Sequence, residues 1–118
     1  MFGNSETEVR EALAAIAAAG PRALEAAGMP TTQSPSILDR RTLAIARLAV
    51  SIALDAPPAT YGRQVTEATD AGVRPDELLA LLRAVAPQVG DARAVAAAPE
   101  LMLALGLSLP GAPDPRAE

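Results

Sequence analysis

The chain has 118 residues, enough for one domain and too few for two, and carries a formal net charge of −4 with no His, no Cys and Arg as its only basic residue type. Those absences exclude disulfides, thiolate nucleophiles, iron–sulfur clusters, zinc sites of the usual kind, a Lys Schiff base and a Ser–His–Asp triad, and leave carboxylates, Tyr61 and Arg to carry any chemistry. The acidic balance and the lack of a basic run beyond Arg40–Arg41 argue against nucleic acid, and no apolar stretch approaches the ~20 residues a membrane span needs.

The N-terminal stretch MFGNSETEVREAL has no positive region ahead of an apolar core, so no signal peptide is read there, and the cytoplasm is the default expectation. A first helix is expected from Ser5, which pairs with Glu8 as a capping box and precedes EVREALAAIAAA, stopped by Gly20–Pro21. A short second helix, PRALEAA, opens on Pro21 and ends at Gly28; TTQSPS then reads as a loop. The third helix, from about Asp39 to Leu54, is the most apolar element, and its wide apolar perimeter suits the centre of a bundle. Its β-branched residues are compatible with a buried strand, but its length and alanines favour a helix. Arg40, Arg47, Ser51 and Asp55 fall near one stripe of it. A fourth helix is expected over Ala59–Ala71, closed by Gly72 with positive φ, and a fifth from RPDELLALLRAVA, with Pro75, Asp76 and Glu77 in its first turn. Pro87 to Gly90 reads as a junction, and DARAVAAAPELMLALG as a helix split or kinked at Pro99. The proline-rich SLPGAPDPRAE reads as a mobile tail.

The fold class is therefore all-α, a bundle of about six helices, divided into an N-terminal helical segment (1–30), a helical core (31–106) and a tail (107–118). Half the residues are hydrophobic, but many are alanine and only Phe2 and Tyr61 are aromatic. Alanine buries little area at about 25 cal/mol per Å², so part of the apolar surface is expected to be covered by other subunits.

From Leu38 to about Leu105 four segments occur in the order typical of the carboxymuconolactone decarboxylase family, which includes the alkylhydroperoxidase D proteins. LDRRT resembles the family's helix opening Leu-x-x-x-Thr, and LAVSIAL its apolar central helix. TEATDAGVRPDELLALL resembles its helix ending in Ala-Gly or Asn-Gly, followed by an acidic helix start and paired leucines. AVAPQVGDARAV is similar to its junction Ala-x-Tyr-x-Gly-x-Pro-x-Ala. The resemblance implies an alkylhydroperoxidase D-like bundle, a homo-oligomer (trimer or hexamer) and a small-molecule ligand. It also marks where this sequence departs. The peroxidase branch carries Cys-x-x-Cys-x-x-x-His with a Glu about three turns earlier; aligned from LDRRT these positions hold Ala56, Ala59, Arg63 and Ala44. Aligned backward from Gly72, the histidine position holds Gln64, and the junction tyrosine is Gln88. Thiol peroxidase chemistry needs a nucleophilic sulfur and is excluded.

The candidate catalytic residues are Tyr61, Arg63 and Gln64, with Arg47 and Gln88 as substrate-binding candidates, no metal ligands and no cofactor. Arg63 or Gln64, in the family's histidine position, would orient an anionic or carbonyl-bearing ligand; a solvated helix face is the alternative. Arg47 can clamp a carboxylate through two parallel hydrogen bonds or serve a structural ion pair. Tyr61 can donate a proton, although packing with a satisfied hydroxyl is the commoner role of a lone tyrosine. Glu67 and Asp70 read as exposed helix-face charges, Asp91 with Arg93 as a cap of the last helix, and Leu78, Leu79, Leu81 and Leu82 as core and subunit contact. Two functions stay open: cofactor-free lyase, isomerase or cyclase chemistry on a small oxygenated or carboxylated molecule, and a non-catalytic binder or structural subunit.

Overall fold

In the computed structural model, residues 5–28 and 37–108 are described; the TTQSPS loop, the segment boundary at 30/31 and all but the start of the proline-rich tail lie outside them. The described residues contain six helices and no strand. They fall into two compact units, Met1–Leu38 and Asp39–Glu118.

In the first unit, α1 (Glu6–Ala19) begins as the capping box requires: Ser5 Oγ accepts the Glu8 N–H at 3.1 Å, and the Glu8 carboxylate accepts the Ser5 N–H at 3.3 Å. Gly20, at φ 68°, ends it, and Pro21 occupies the tolerated first position of α2 (Pro21–Gly28). The two helices pack on each other, yet none of the side chains described in this unit is buried.

The second unit holds the core. It comprises α3 (Arg40–Leu54), α4 (Pro58–Asp70), α5 (Pro75–Val89) and α6 (Asp91–Ala104). Asp39 caps α3, its Oδ1 accepting the Thr42 N–H at 2.7 Å. The apolar perimeter of α3 packs chiefly against α4 and α5 and more lightly against α6, while Val50 and Leu54 stay exposed. Leu48, Ile52, Tyr61, Val65 and Leu78 are the largest fully buried side chains, with Ala44, Ala68 and Ala97 at the close helix contacts. An ion pair between Arg41 and Glu77 ties the start of α3 to the start of α5.

Three helices of this unit end in the same hydrogen-bonded turn. In α4, the Val73 N–H reaches the Ala68 carbonyl at 2.9 Å and the Gly72 N–H reaches Thr69 at 3.0 Å, with Gly72 at φ 91°. Gly106 plays the same part after α6. After α3 the left-handed position is filled by Asp55 (φ 54°), one of the few residue types besides glycine that tolerate it.

Two proline expectations are corrected. Pro87 is not a junction but lies in the last turn of α5, and α6 runs unsplit through Pro99. Both prolines are exposed, and the carbonyl four residues before Pro99 belongs to the exposed Val95. A proline on the solvent face leaves its orphaned carbonyl to water, so the helix survives it. The cap of α6 is also different: Gly90 (φ 94°) occupies the N-cap, and Asp91 is the first helical residue, with no side-chain capping bond.

Candidate functional site

The α3–α4 contact brings polar groups together at one place. Ser51 is the single buried polar residue among those described, set in the last turn of α3. Its hydroxyl donates to Gln64 Oε1 on α4, which spares the serine the cost of an unpartnered group. Its backbone carbonyl accepts the Tyr61 hydroxyl at 3.3 Å and the Ala56 N–H at 3.0 Å. Ser51 thus takes both a packing residue and a groove residue of α4.

Two adjacent clefts open beside this contact. A groove of about 250 Å³ is lined by Leu43, Ala46, Arg47, Val50, Ser51 and Gln64. A second cleft of about 200 Å³ shares Leu43 and Arg47 and adds Arg40, Ala44 and Glu67. Arg40 and Arg47 are seven residues apart, two turns on one face of α3, and both line the same cleft. Across it, the Glu67 carboxylate meets Arg47 at 3.8 Å, a loose pair between side chains that are each about half exposed. Arg40 has no ion-pair partner among the described residues. Volumes of this size suit a ligand of few heavy atoms.

The sequence-selected residues separate on this geometry. Gln64 and Arg47 line the groove together. Of the two residues aligned with the family's histidine, Gln64 faces the groove and Arg63 is solvent-exposed. Gln88 is exposed near the end of α5 and lines neither cleft. Tyr61 is 1 % exposed, packed in the core with its hydroxyl spent on Ser51. Burial raises its pKa above the ordinary phenol value, and the negative charges of Asp55 and Glu100 push it the same way. Ala44, aligned with the family's glutamate, is buried and lines the smaller cleft.

Three groove residues escaped selection on sequence. Arg40 and Ser51 carried a signal, the shared stripe with Arg47. Glu67 carried a weaker one, since it sits three residues after Gln64 on the same face of α4. Read alone it is an exposed helix charge; the tertiary structure sets it against Arg47.

A larger groove of about 460 Å³ lies between α5 and α6, walled by Leu78, Leu79, Leu82, Leu101, Met102 and Leu105 among others. Asp76 is its one charged residue, and that carboxylate is paired with Arg74 at 3.1 Å. It offers area but almost nothing to orient a polar substrate.

Among the described residues no cluster of three or more acidic side chains is placed to hold a metal ion, and no helix is long and apolar enough to cross a membrane. The architecture is that of an all-α protein, with a small donor-rich groove where α3 meets α4. Residues 18–101 match the family described as the carboxymuconolactone decarboxylase family, and the chain belongs to it. No curated protein matches the chain. No solved structure matches it either.

Proposed function

We propose that this carboxymuconolactone decarboxylase-like protein acts, without a cofactor, on a small carboxylated molecule held in the α3–α4 groove, by proton-transfer chemistry of the lyase, isomerase or cyclase type. The observation that supports this is the convergence of Arg40, Arg47 and Glu67 on one cleft. Arginine holds a planar carboxylate through two parallel hydrogen bonds and stays charged throughout. A substrate carboxylate arriving at Arg47 competes with Glu67 for the same guanidinium. The released Glu67 is then the carboxylate beside the bound ligand, placed to take a proton from carbon next to a carbonyl. Tyr61 is assigned to packing, and Arg63 and Gln88 have no part in this reading.

Calorimetric titration with small mono- and dicarboxylates, paired with deuterium exchange into the bound acid followed by NMR, tests the proposal. Arg47→Ala is expected to weaken binding about tenfold or more, the worth of a hydrogen bond to a charged group. Glu67→Gln is expected to retain binding and lose exchange. Equal affinity in the wild type and Arg47→Ala would overturn the site; exchange persisting in Glu67→Gln would leave a binder whose chemistry lies elsewhere.

We further infer that the chain assembles as a homo-oligomer, trimer or hexamer. Support comes from the apolar groove between α5 and α6, which the exposed Leu79 lines, and from the exposed Val95 and Leu103 of α6. Light scattering is expected to give a multiple of the chain mass at micromolar concentration, and a stable monomer would refute it.

A further inference from the structure

Gln64 has two faces, a carbonyl that accepts and an amide that donates, and a glutamine in a groove can ordinarily present either. Here one face is already committed. Gln64 Oε1 accepts the Ser51 hydroxyl, and an oxygen–oxygen contact of this kind requires the serine to be the donor. Ser51 is 4 % exposed and spends its hydroxyl proton on Gln64. The Gln64 amide N–H groups have no partner among the described residues, and no buried polar atom is left unsatisfied. They are therefore accessible to solvent, on a residue that lines the same groove as Arg47.

From this we infer that Ser51 is a positioning residue: it locks Gln64 with its carbonyl inward, so that the Gln64 amide offers hydrogen-bond donors in the groove it shares with Arg47 and selects a carboxylic acid bearing a second oxygen acceptor beside the carboxylate. The inference rests on the proposal that Arg47 holds the ligand's carboxylate, and narrows it to 2-oxo acids and their enol or enolate forms. A carboxylate and a neighbouring carbonyl supply acceptors to two donor groups. An amino acid of the same skeleton brings an ammonium to a donor and is disfavoured, because a misplaced donor leaves both groups unpaired. The same donor amide strengthens its bond as negative charge develops on a carbonyl oxygen, which is the charge that proton abstraction at the adjacent carbon creates.

Three acids that differ only at the second carbon provide the test: pyruvate, propionate and L-alanine, titrated by NMR into the full chain and into Ser51→Ala, Gln64→Glu and Arg47→Ala. In the wild type pyruvate is expected to bind about threefold to tenfold more tightly than propionate, the worth of one added neutral hydrogen bond, with alanine weakest. Ser51→Ala frees the Gln64 amide to turn, and is expected to collapse the pyruvate preference, read as the ratio of pyruvate to propionate affinity. It is also expected to raise the mobility of the Gln64 side-chain amide in relaxation measurements without ligand, a change that a purely packing role for Ser51 does not predict. Gln64→Glu, which keeps an acceptor for Ser51 and turns the other oxygen to the groove, is expected to favour alanine over pyruvate. An unchanged pyruvate preference in Ser51→Ala, with binding still dependent on Arg47, refutes the lock alone. Absence of acid binding in the wild type, or binding indifferent to Arg47→Ala, refutes the groove proposal beneath it.

Discussion

Tyr61 offers the sharpest check, because the chain has no His, Cys or Lys and its phenol is the only side chain that titrates between the carboxylates and Arg. Two perturbations separate its roles. Tyr61→Phe removes one neutral hydrogen bond, long at 3.3 Å, to a carbonyl that keeps the Ala56 N–H at 3.0 Å. No acceptor is orphaned and no cavity of consequence forms, so the cost is expected at the low end of the usual range, about 0.5 kcal/mol. Tyr61→Ala empties a site that is 1 % exposed in the unbroken state and is expected to cost about 3–5 kcal/mol. The pH dependence has a fixed sign. The folded-state pKa is raised, so the protonated phenol stabilises the fold; this contribution is complete below the unfolded value near 10 and is lost as pH rises through the folded value. Urea melts across the alkaline range, with the ultraviolet absorbance of tyrosinate followed in parallel, are expected to show ionisation delayed beyond ordinary phenols and then coupled to unfolding. Tyr61→Phe is expected to remove that alkaline slope. A Phe variant that keeps it, or wild-type tyrosinate formed at the ordinary phenol pH with the fold intact, refutes the packing assignment. A Phe variant folded as stably as the wild type but without turnover would return Tyr61 to the chemistry.

Leu48, fully buried at the centre of α3, is expected to cost about 3–5 kcal/mol on replacement by Ala, a large share of the 5–15 kcal/mol typical of a domain; a loss near 1 kcal/mol in denaturant titration would show that α3 is not the central helix. Asp55→Gly relieves a left-handed non-glycine residue and is expected to stabilise by at most about 1 kcal/mol; removing its charge is also expected to lower the Tyr61 pKa, and failure of the tyrosinate titration to move would contradict that coupling. The Asp39 carboxyl is held below its ordinary pKa, first by the Thr42 backbone N–H and then by the Thr42 side chain, so its contribution is present above the unfolded value and fades as pH falls through the folded one. Asp39→Asn keeps a capping oxygen but cannot titrate, and acid melts of this variant are expected to show a shallower loss than the wild type.

Much of the helical architecture was legible in one dimension because its causes are local. A capping box needs only Ser5 and Glu8 three residues apart, and Gly72 marks a helix end because only a residue that tolerates positive φ completes the turn there. The apolar perimeter of α3 announces a central helix through spacing alone. The prolines misled for the complementary reason: whether Pro87 and Pro99 break a helix depends on which side of it meets solvent, and that is decided by packing.

The site divides along the same line. Family resemblance could point to positions 63 and 64 together, but only the rotation of α4 against α3 puts Gln64 in the groove and Arg63 in solvent. Composition by itself determined that no thiol, imidazole or lysine amine of this chain takes part, since a missing group cannot be supplied by folding. Which of the remaining groups meet was decided by tertiary structure alone. Ser51 reads as an oddity in an apolar helix until Gln64 arrives beside it, and Glu67 reads as a surface charge until α4 lies across Arg47. Hydrogen bonds and ion pairs act over a few ångströms, and these partners are separated in the chain by a helix end, a loop and a new helix, a distance that sequence spacing does not measure.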